Sequence, residues 1–281
     1  MSGYQYPKPL PTRKVGSMAA RIETALLSEI SALRADGHMP TTGRFLFYRL
    51  VAAGLVDKAK KSAPKDVSMI LTQLREAQIV GMSEIVDRSR GVSDFTGWST
   101  IHAAACDSAA AASLDRWHER TPLLIVESNS LAGALEHLAI EYRVVLVPLG
   151  GQASCGFLGR ELPSYVSEGT TVLYLGDWDF SGGHIERSAR ERLEAYAGVR
   201  RLSWNRVALT EEQVEEHNLP VTKKYDGRTK THHDAVETEA LDQRVLVPLV
   251  RDALEELGPE EVGVEENRQR AAVLAKLGLS A

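Results

Sequence analysis

The chain has 281 residues, a formal net charge of −5 and a hydrophobic fraction of 43%. These values are typical of a globular protein with room for two ordinary domains, and they exclude a low-complexity chain. No apolar run approaches the roughly 18 to 20 residues that span a bilayer, so no membrane contact is expected. The first residues show no hydrophobic leader pattern, so secretion is not expected. Only two cysteines occur, Cys106 and Cys155, without zinc or redox spacing, which predicts a cytoplasmic protein.

Charge is distributed unevenly along the chain. Residues 1–90 contain 14 Lys and Arg against 8 Asp and Glu, whereas the remainder contains 19 basic and 30 acidic residues. A basic first third indicates contact with a polyanion such as nucleic acid. An uneven but solvated surface is the alternative.

The sequence of the first third of the chain predicts an extended arm followed by three helices. Residues 1–16 are rich in proline and predict an extended arm. Apolar spacing and capping residues predict helices over about 17–36, 41–54 and 65–77. Short strand or turn pieces follow at 79–87. Three helices followed by a small β element are typical of a winged-helix module, whose helix-turn-helix relatives place their second helix in the major groove of DNA.

Strands and helices alternate in the rest of the chain. A linker leads into an alanine-rich helix, Ala103 to Trp117. Strands are predicted at 123–127, 143–148 and 171–176, with 202–209 as a candidate further strand, and helices at about 130–141, 153–162, 182–196 and 211–217. The segment 242–257 and an acidic helical tail follow. This alternation predicts parallel βαβ units and an α/β fold with a mainly parallel, Rossmann-like sheet.

Carboxylates follow two of the predicted strands. Glu127 ends one apolar run, and Asp177 and Asp179 follow another. Because residues i and i+2 of a strand point to the same side, the two aspartates are expected to project together. Ligands of open α/β sheets bind beyond the carboxyl ends of the strands. Hard oxygen ligands suit Mg²⁺, with Mn²⁺ as the alternative, so the sequence predicts a metal site for phosphate chemistry.

The spacing of these acids resembles that of the Toprim domain, the metal-binding module of topoisomerases, primases and some nucleases. Toprim proteins carry one glutamate after a first strand and an Asp-x-Asp pair after a later one. Acidic strand ends also occur in unrelated Rossmann-like proteins, and that alternative stays open.

A tyrosine is a candidate nucleophile, and a nearby arginine is a candidate phosphate-binding group. Arg44 and Tyr48 stand four residues apart on the second predicted helix, so they share a face. A tyrosine can attack a DNA phosphodiester once a base, a cation or a metal-held phosphate activates it. A guanidinium beside it can hold the phosphate and stabilise the added charge. Taken alone, this spacing is more often that of a tyrosine packed in a core or groove.

The order of these features resembles that of the topoisomerase VI A subunit and the related meiotic double-strand-break protein. The segment 42–48 is similar to that family's Arg-x-x-(Phe/Tyr)-Tyr motif, and 177–182 to its Asp-x-Asp-Pro-x-Gly element. Short mini-A homologues of mobile elements are more similar still, over about 41–255. They share the segments 48–52, 127–131 and 237–241 and the pair Asp226 and Arg228. Departures are Ser128, where a lysine is frequent, and Phe180, where the family has proline.

The resemblance implies an arm over 1–16, a winged-helix-like DNA-binding domain with linker over 17–117, a Toprim domain over 118–258 and an acidic tail over 259–281. It also implies a type IIB topoisomerase-like transesterase that cuts double-stranded DNA as a homodimer. In such a dimer the tyrosine of one protomer meets the metal site of the other. The implied site residues are Tyr48 and Arg44 for catalysis and Glu127, Asp177 and Asp179 for Mg²⁺. Because no P-loop sequence is present, an ATPase partner subunit would supply any ATP-dependent step.

Two other functions stay open. One is a Toprim nuclease in which metal-activated water attacks, and the other is a non-catalytic DNA-binding component of a larger complex. The roles of Asp226, Arg228, Glu237 and Glu239 are also open. Asp226 and Glu237 either support the metal ligands or are solvated loop carboxylates. His184, His232 and His233 lack ligand spacing and are expected to be surface histidines.

Overall fold

A computed structural model describes residues 7–87, 94, 96–118, 120–151, 156–226 and 230–278. The helices are α1 Met18–Ala35, α2 Gly43–Ala52, α3 Ala63–Glu76, α4 Ile101–Ala111, α5 Asn129–Tyr142, α6 Phe180–Ala197, α7 Glu211–Glu216, α8 Gln243–Glu255 and α9 Gly263–Lys276. The strands are β1 Thr41–Thr42, β2 Ile85–Val86, β3 Leu123–Val126, β4 Val145–Pro148, β5 Thr171–Leu175, β6 Trp178–Asp179, β7 Ser203–Ala208, β8 Thr222–Asp226 and β9 Thr231–Val236. The protein is a mixed α/β chain, as predicted.

The first three helices begin and end close to their predicted limits. The Ser17 hydroxyl accepts a hydrogen bond from the Ala20 amide at the start of α1. The Thr42 hydroxyl accepts one from the Phe45 amide at the start of α2. Both hydroxyls satisfy amides that have no partner within their helix. Strands β1 and β2 pair in parallel beside these helices. The winged-helix assignment remains a prediction.

The central sheet has four parallel strands in the order β4-β3-β5-β7. Strand β3 is buried along its whole length, which explains its uninterrupted apolar sequence. The carboxyl ends of β3 and β5 lie side by side, because Val126 pairs with Leu175. The predicted parallel sheet is therefore confirmed, and the residues that follow these two strands are neighbours. The Toprim assignment remains a prediction.

A second sheet, which the sequence interpretation missed, adjoins the first. It is antiparallel, with the order β6-β9-β8. After Leu175 the chain leaves the parallel sheet, and Trp178 and Asp179 form β6 against β9. Asp177 therefore lies between two strands of different sheets. The two aspartates therefore do not lie on one continuous strand, and their expected projection to the same side stays a prediction.

Two predicted helices differ from the structure. Helix α4 ends at Ala111 and does not reach Trp117, because tertiary contacts hold the following residues in an irregular path. There the Leu114 amide donates to Glu266, and the buried Trp117 ring donates to the Tyr142 carbonyl. In its described part, the helix predicted at 153–162 is a π-helical turn, Phe157–Glu161, and a 3₁₀ turn, Pro163–Tyr165, follows it.

Buried apolar side chains of the described residues form a cluster on each face of the central sheet. One cluster joins α1, α2 and α3 to α5, α8 and β3, with Leu26, Phe45 and Leu124 among its members. The other packs α6 against the opposite face, through Ile125, Tyr174 and Leu193. The first cluster runs without interruption from the N-terminal helices to the sheet, so it holds α2 against the strand ends. Among the described helices, none combines the length and the apolar character that crossing a bilayer requires.

Candidate active site at Tyr48 and the acidic strand ends

Helix α2 places Tyr48 and Arg44 against a glutamate that follows strand β9. The Tyr48 hydroxyl donates a hydrogen bond to Glu237 Oε2. Arg44 Nη2 lies 2.6 Å from the same oxygen. Tyr48 is 3% exposed, and the side chain of Arg44 is 44% exposed. The predicted nucleophile and its arginine therefore meet at one carboxylate oxygen, on a residue 189 positions away from the tyrosine.

A lysine completes this contact. Lys58 Nζ lies 5.0 Å from the centre of the Tyr48 ring and 3.6 Å from Glu237 Oε1. Burial alone would raise the pKa of Glu237, but the charge of Arg44 and the hydrogen bond from Tyr48 hold that pKa below its ordinary value. Burial and the bond to Glu237 raise the pKa of Tyr48. At neutral pH the site therefore contains a protonated phenol on an anionic carboxylate between two cations.

Glu239 joins the tyrosine side of the site to the strand ends. Its side chain is 1% exposed, with Oε1 lying 3.3 Å from Arg44 Nε and accepting a hydrogen bond from Ser128 Oγ at 2.7 Å. Burial raises the pKa of Glu239, and the charge of Arg44 opposes this. Ser128 therefore holds a buried carboxylate in place.

Glu127 and Asp177 lie together where β3 and β5 end. Glu127 Oε2 accepts a hydrogen bond from the Asp177 amide at 2.9 Å, and Asp177 Oδ1 accepts one from the Thr238 amide at 3.0 Å. Gly176 makes this approach feasible, since an added Cβ would lie 2.8 Å from Glu127 Oε2. Burial is the main cause, and the charge of Asp177 the second, of a pKa of Glu127 that is raised to about 7. Burial also raises the pKa of Asp177.

Asp179 is paired with a lysine of the second sheet. Lys224 Nζ lies 2.6 Å from Asp179 Oδ2, and the side chain of Asp179 is 3% exposed. Burial alone would lower the pKa of Lys224, but Asp179, Asp177 and Glu127 together raise it above its ordinary value. All three predicted metal ligands therefore act electrostatically on one cation.

The donor chemistry of this cluster fits Mg²⁺. The side chains offer only oxygen ligands. In addition, Tyr174 Oη and Glu239 Oε2 are buried without a hydrogen-bond partner among the described residues. No three described Asp, Glu, His or Cys side chains are grouped closely enough to hold a metal ion in the present arrangement. The assignment of Glu127, Asp177 and Asp179 as metal ligands therefore stays a prediction.

Two adjoining cavities give access to Arg44. One of about 470 Å³ is lined by Tyr48, Lys58 and Glu237, and the other, of about 330 Å³, by Arg75 and Asn129. Both cavities share Gly43, Arg44, Ser68 and Leu71. Three basic side chains, Arg44, Lys58 and Arg75, therefore line the two cavities, together with the carboxylates of Asp87 and Glu237. Basic side chains beside the tyrosine suit an anionic ligand.

Other residues singled out in the sequence lie outside this cluster. His232 is exposed, and His184 and His233 are half-buried. Asp226 ends strand β8, while its side chain, Arg228 and Cys155 lie outside the described residues.

Sequence reasoning left the role of Glu237 open and missed Lys58 and Lys224. The dipeptide Asp226-Gly227 is a common hairpin signal and could have located the β8–β9 hairpin that carries Lys224. No comparable local signal marks Lys58.

Comparison of the chain with protein-family models, with curated proteins and with solved structures found no match.

Proposed function

We propose that this protein is a metal-dependent DNA-cleaving transesterase, similar to a topoisomerase VI A subunit, with Tyr48 as nucleophile. The observation that carries the proposal is the meeting of Tyr48 and Arg44 at Glu237, next to the acidic ends of β3 and β5. A nucleophile, a phosphate-binding cation and a cluster of carboxylates are the parts that this reaction needs. The basic side chains of Arg44, Lys58 and Arg75, which line the two cavities beside Tyr48, support a nucleic-acid substrate.

Each side chain has a separate task in the proposed reaction. Tyr48 attacks the phosphorus atom and forms a phosphotyrosyl bond to the 5′ end, which leaves a 3′-hydroxyl on the other fragment. Arg44 and Lys58 bind the phosphate oxygens and stabilise the charge that develops on them. Glu127, Asp177 and Asp179 would hold Mg²⁺, which when bound supplies further charge neutralisation at the phosphate.

A covalent-adduct assay tests the proposal. Purified protein is incubated with supercoiled DNA and Mg²⁺, denatured, and analysed for protein attached to 5′ ends. We expect an adduct with the wild type and none with Tyr48→Phe, because only the phenol oxygen can form the bond. We expect none with Asp177→Ala, because metal binding is lost. Tyr165→Phe is the matched control, since Tyr165 is 54% exposed on a 3₁₀ turn and should leave the adduct yield unchanged.

One observation favours the hydrolytic alternative. Tyr48 is 3% exposed and its pKa is raised by burial, as expected of a tyrosine that only positions other groups. In a nuclease of this kind, metal-activated water would attack instead. Free DNA ends that persist with Tyr48→Phe and disappear with Asp177→Ala would support the nuclease. Binding without cleavage by any form would contradict both.

A further inference from the structure

Glu237 stands at the point where Tyr48 must lose its proton. Its Oε2 accepts the hydrogen bond of the Tyr48 hydroxyl, and strand β9 fixes its position, because Val236 pairs with Trp178 of β6. We propose that Glu237 is a catalytic residue, the general base that accepts the Tyr48 proton during attack on the phosphate. This inference rests on the proposed function and adds to it the residue that activates the nucleophile.

The other carboxylates of the cluster are engaged elsewhere. Glu239 Oε1 is held by Ser128 and lies near Arg44. Glu127 accepts from the Asp177 amide, and Asp177 accepts from the Thr238 amide. Among the described side chains, the carboxylate in hydrogen-bond contact with the Tyr48 hydroxyl is that of Glu237. Hydrogen-bond reach is the first requirement of a general base, so the contact separates Glu237 from its neighbours.

The charges around Glu237 keep it able to accept a proton. Arg44 and Lys58 flank the carboxylate and favour its anionic form at neutral pH. An anionic carboxylate is a weak base towards a free phenol, but the hydroxyl becomes acidic as its oxygen bonds to phosphorus. Proton transfer that accompanies bond formation therefore needs an acceptor in position more than it needs a strong base. The catalytic aspartate of protein kinases accepts a hydroxyl proton in this way.

The proposed step breaks two bonds and forms two. The O–H bond of Tyr48 breaks and its proton moves to Glu237 Oε2, while the phenol oxygen forms a bond to phosphorus. The bond between phosphorus and the 3′ oxygen breaks, and its electron pair stays on that oxygen. A solvent water protonates the 3′ oxygen to give the hydroxyl, and the proton that Glu237 then releases to solvent neutralises the remaining hydroxide. Arg44 and Lys58 transfer their contacts from the neutralised Glu237 to the phosphate oxygens.

Replacement of the carboxylate tests the assignment. We expect Glu237→Gln to slow adduct formation by about 10²-fold or more, the usual contribution of a general base. DNA binding, measured by fluorescence anisotropy, should be as tight as in the wild type or tighter, because a negative charge beside two cations is removed. Glu216→Gln, the same change at an exposed residue of α7, is the control. Glu237→Asp retains the charge with a shorter reach and serves if Glu237→Gln does not fold.

A more acidic phenol at position 48 distinguishes two causes of a slower rate: loss of the general base and a general disturbance of the site. Replacement of Tyr48 by 2,3-difluorotyrosine lowers the pKa of the phenol and should restore about tenfold of the rate lost in Glu237→Gln or Glu237→Asp. Adduct formation at the wild-type rate in both variants would overturn the inference. A loss of rate without such restoration would also overturn it. If the wild type forms no Tyr48 adduct, the proposed function itself fails, which is a distinguishable result.

Discussion

At the residue scale, burial shifts the pKa of a carboxyl group in the candidate site towards neutral pH. Glu127 is the clearest case, because its pKa of about 7 results from burial and from the neighbouring charge of Asp177. Because burial disfavours the ionised carboxylate, a cation that binds beside it compensates for the lost solvation of the charge. The same local charge attracts Lys224 to Asp179.

The raised pKa of Glu127 predicts a pH-dependent effect of its removal. Its pKa in the folded protein lies above the ordinary value of 4.5, so the stability that its protonated form contributes is present at low pH and is lost as pH rises through about 7. Glu127→Gln stays neutral, so its free energy of unfolding should exceed that of the wild type at pH 8 by up to about 3 kcal/mol. At pH 5 the two proteins should differ little.

Urea unfolding at pH 5 and pH 8, in the presence of a chelator, measures this difference. In separate samples that contain Mg²⁺ in place of the chelator, the ion should stabilise the wild type and not Glu127→Gln, which tests the metal ligand without any activity measurement. A difference in stability that is equal at the two pH values would contradict the role of burial at Glu127.

At the scale of elements, the antiparallel sheet β6-β9-β8 brings together side chains that are distant in sequence. Strand β9 leads into Glu237 and Glu239, and strand β8 carries Lys224 to Asp179. The lysine lies where the proposed Mg²⁺ would bind, so it would compete with that ion for the same carboxylates.

Removal of Lys224 should therefore strengthen Mg²⁺ binding. We expect roughly tenfold tighter binding in Lys224→Ala, equivalent to about 1.4 kcal/mol, in isothermal titration calorimetry. Lys223→Ala is the matched control, since Lys223 is 67% exposed and pairs with Asp234 of the same hairpin at 2.6 Å. Equal affinities in the two variants would contradict competition by Lys224.

At the scale of the whole molecule, the N-terminal helices pack against the central sheet of the same chain. This packing places Tyr48 beside the acidic residues of its own chain. The resemblance implies that Tyr48 meets the metal site of a second protomer. In this structure Tyr48 contacts Glu237 of its own chain, and the adjoining Thr238 holds Asp177.

A complementation experiment follows from that packing. Tyr48→Phe and Asp177→Ala are co-expressed with different tags and purified together over both tags. We expect no DNA adduct, because neither chain contains both residues and the contacts lie within one chain. A double-tagged preparation that forms the adduct would show that the site is built between two chains.

The sequence by itself determined the α/β class, the parallel sheet, and the helix that places Arg44 and Tyr48 on one face. These features depend on local periodicity and capping, which neighbouring residues in the chain encode. Tertiary structure alone decided that Glu237 meets Tyr48, that Lys58 lies over the ring and that Lys224 reaches Asp179. Those contacts arise because the chain changes sheets after Gly176 and because α2 shares a core with β3. Such long-range pairing leaves no local pattern, since it depends on how complete elements pack.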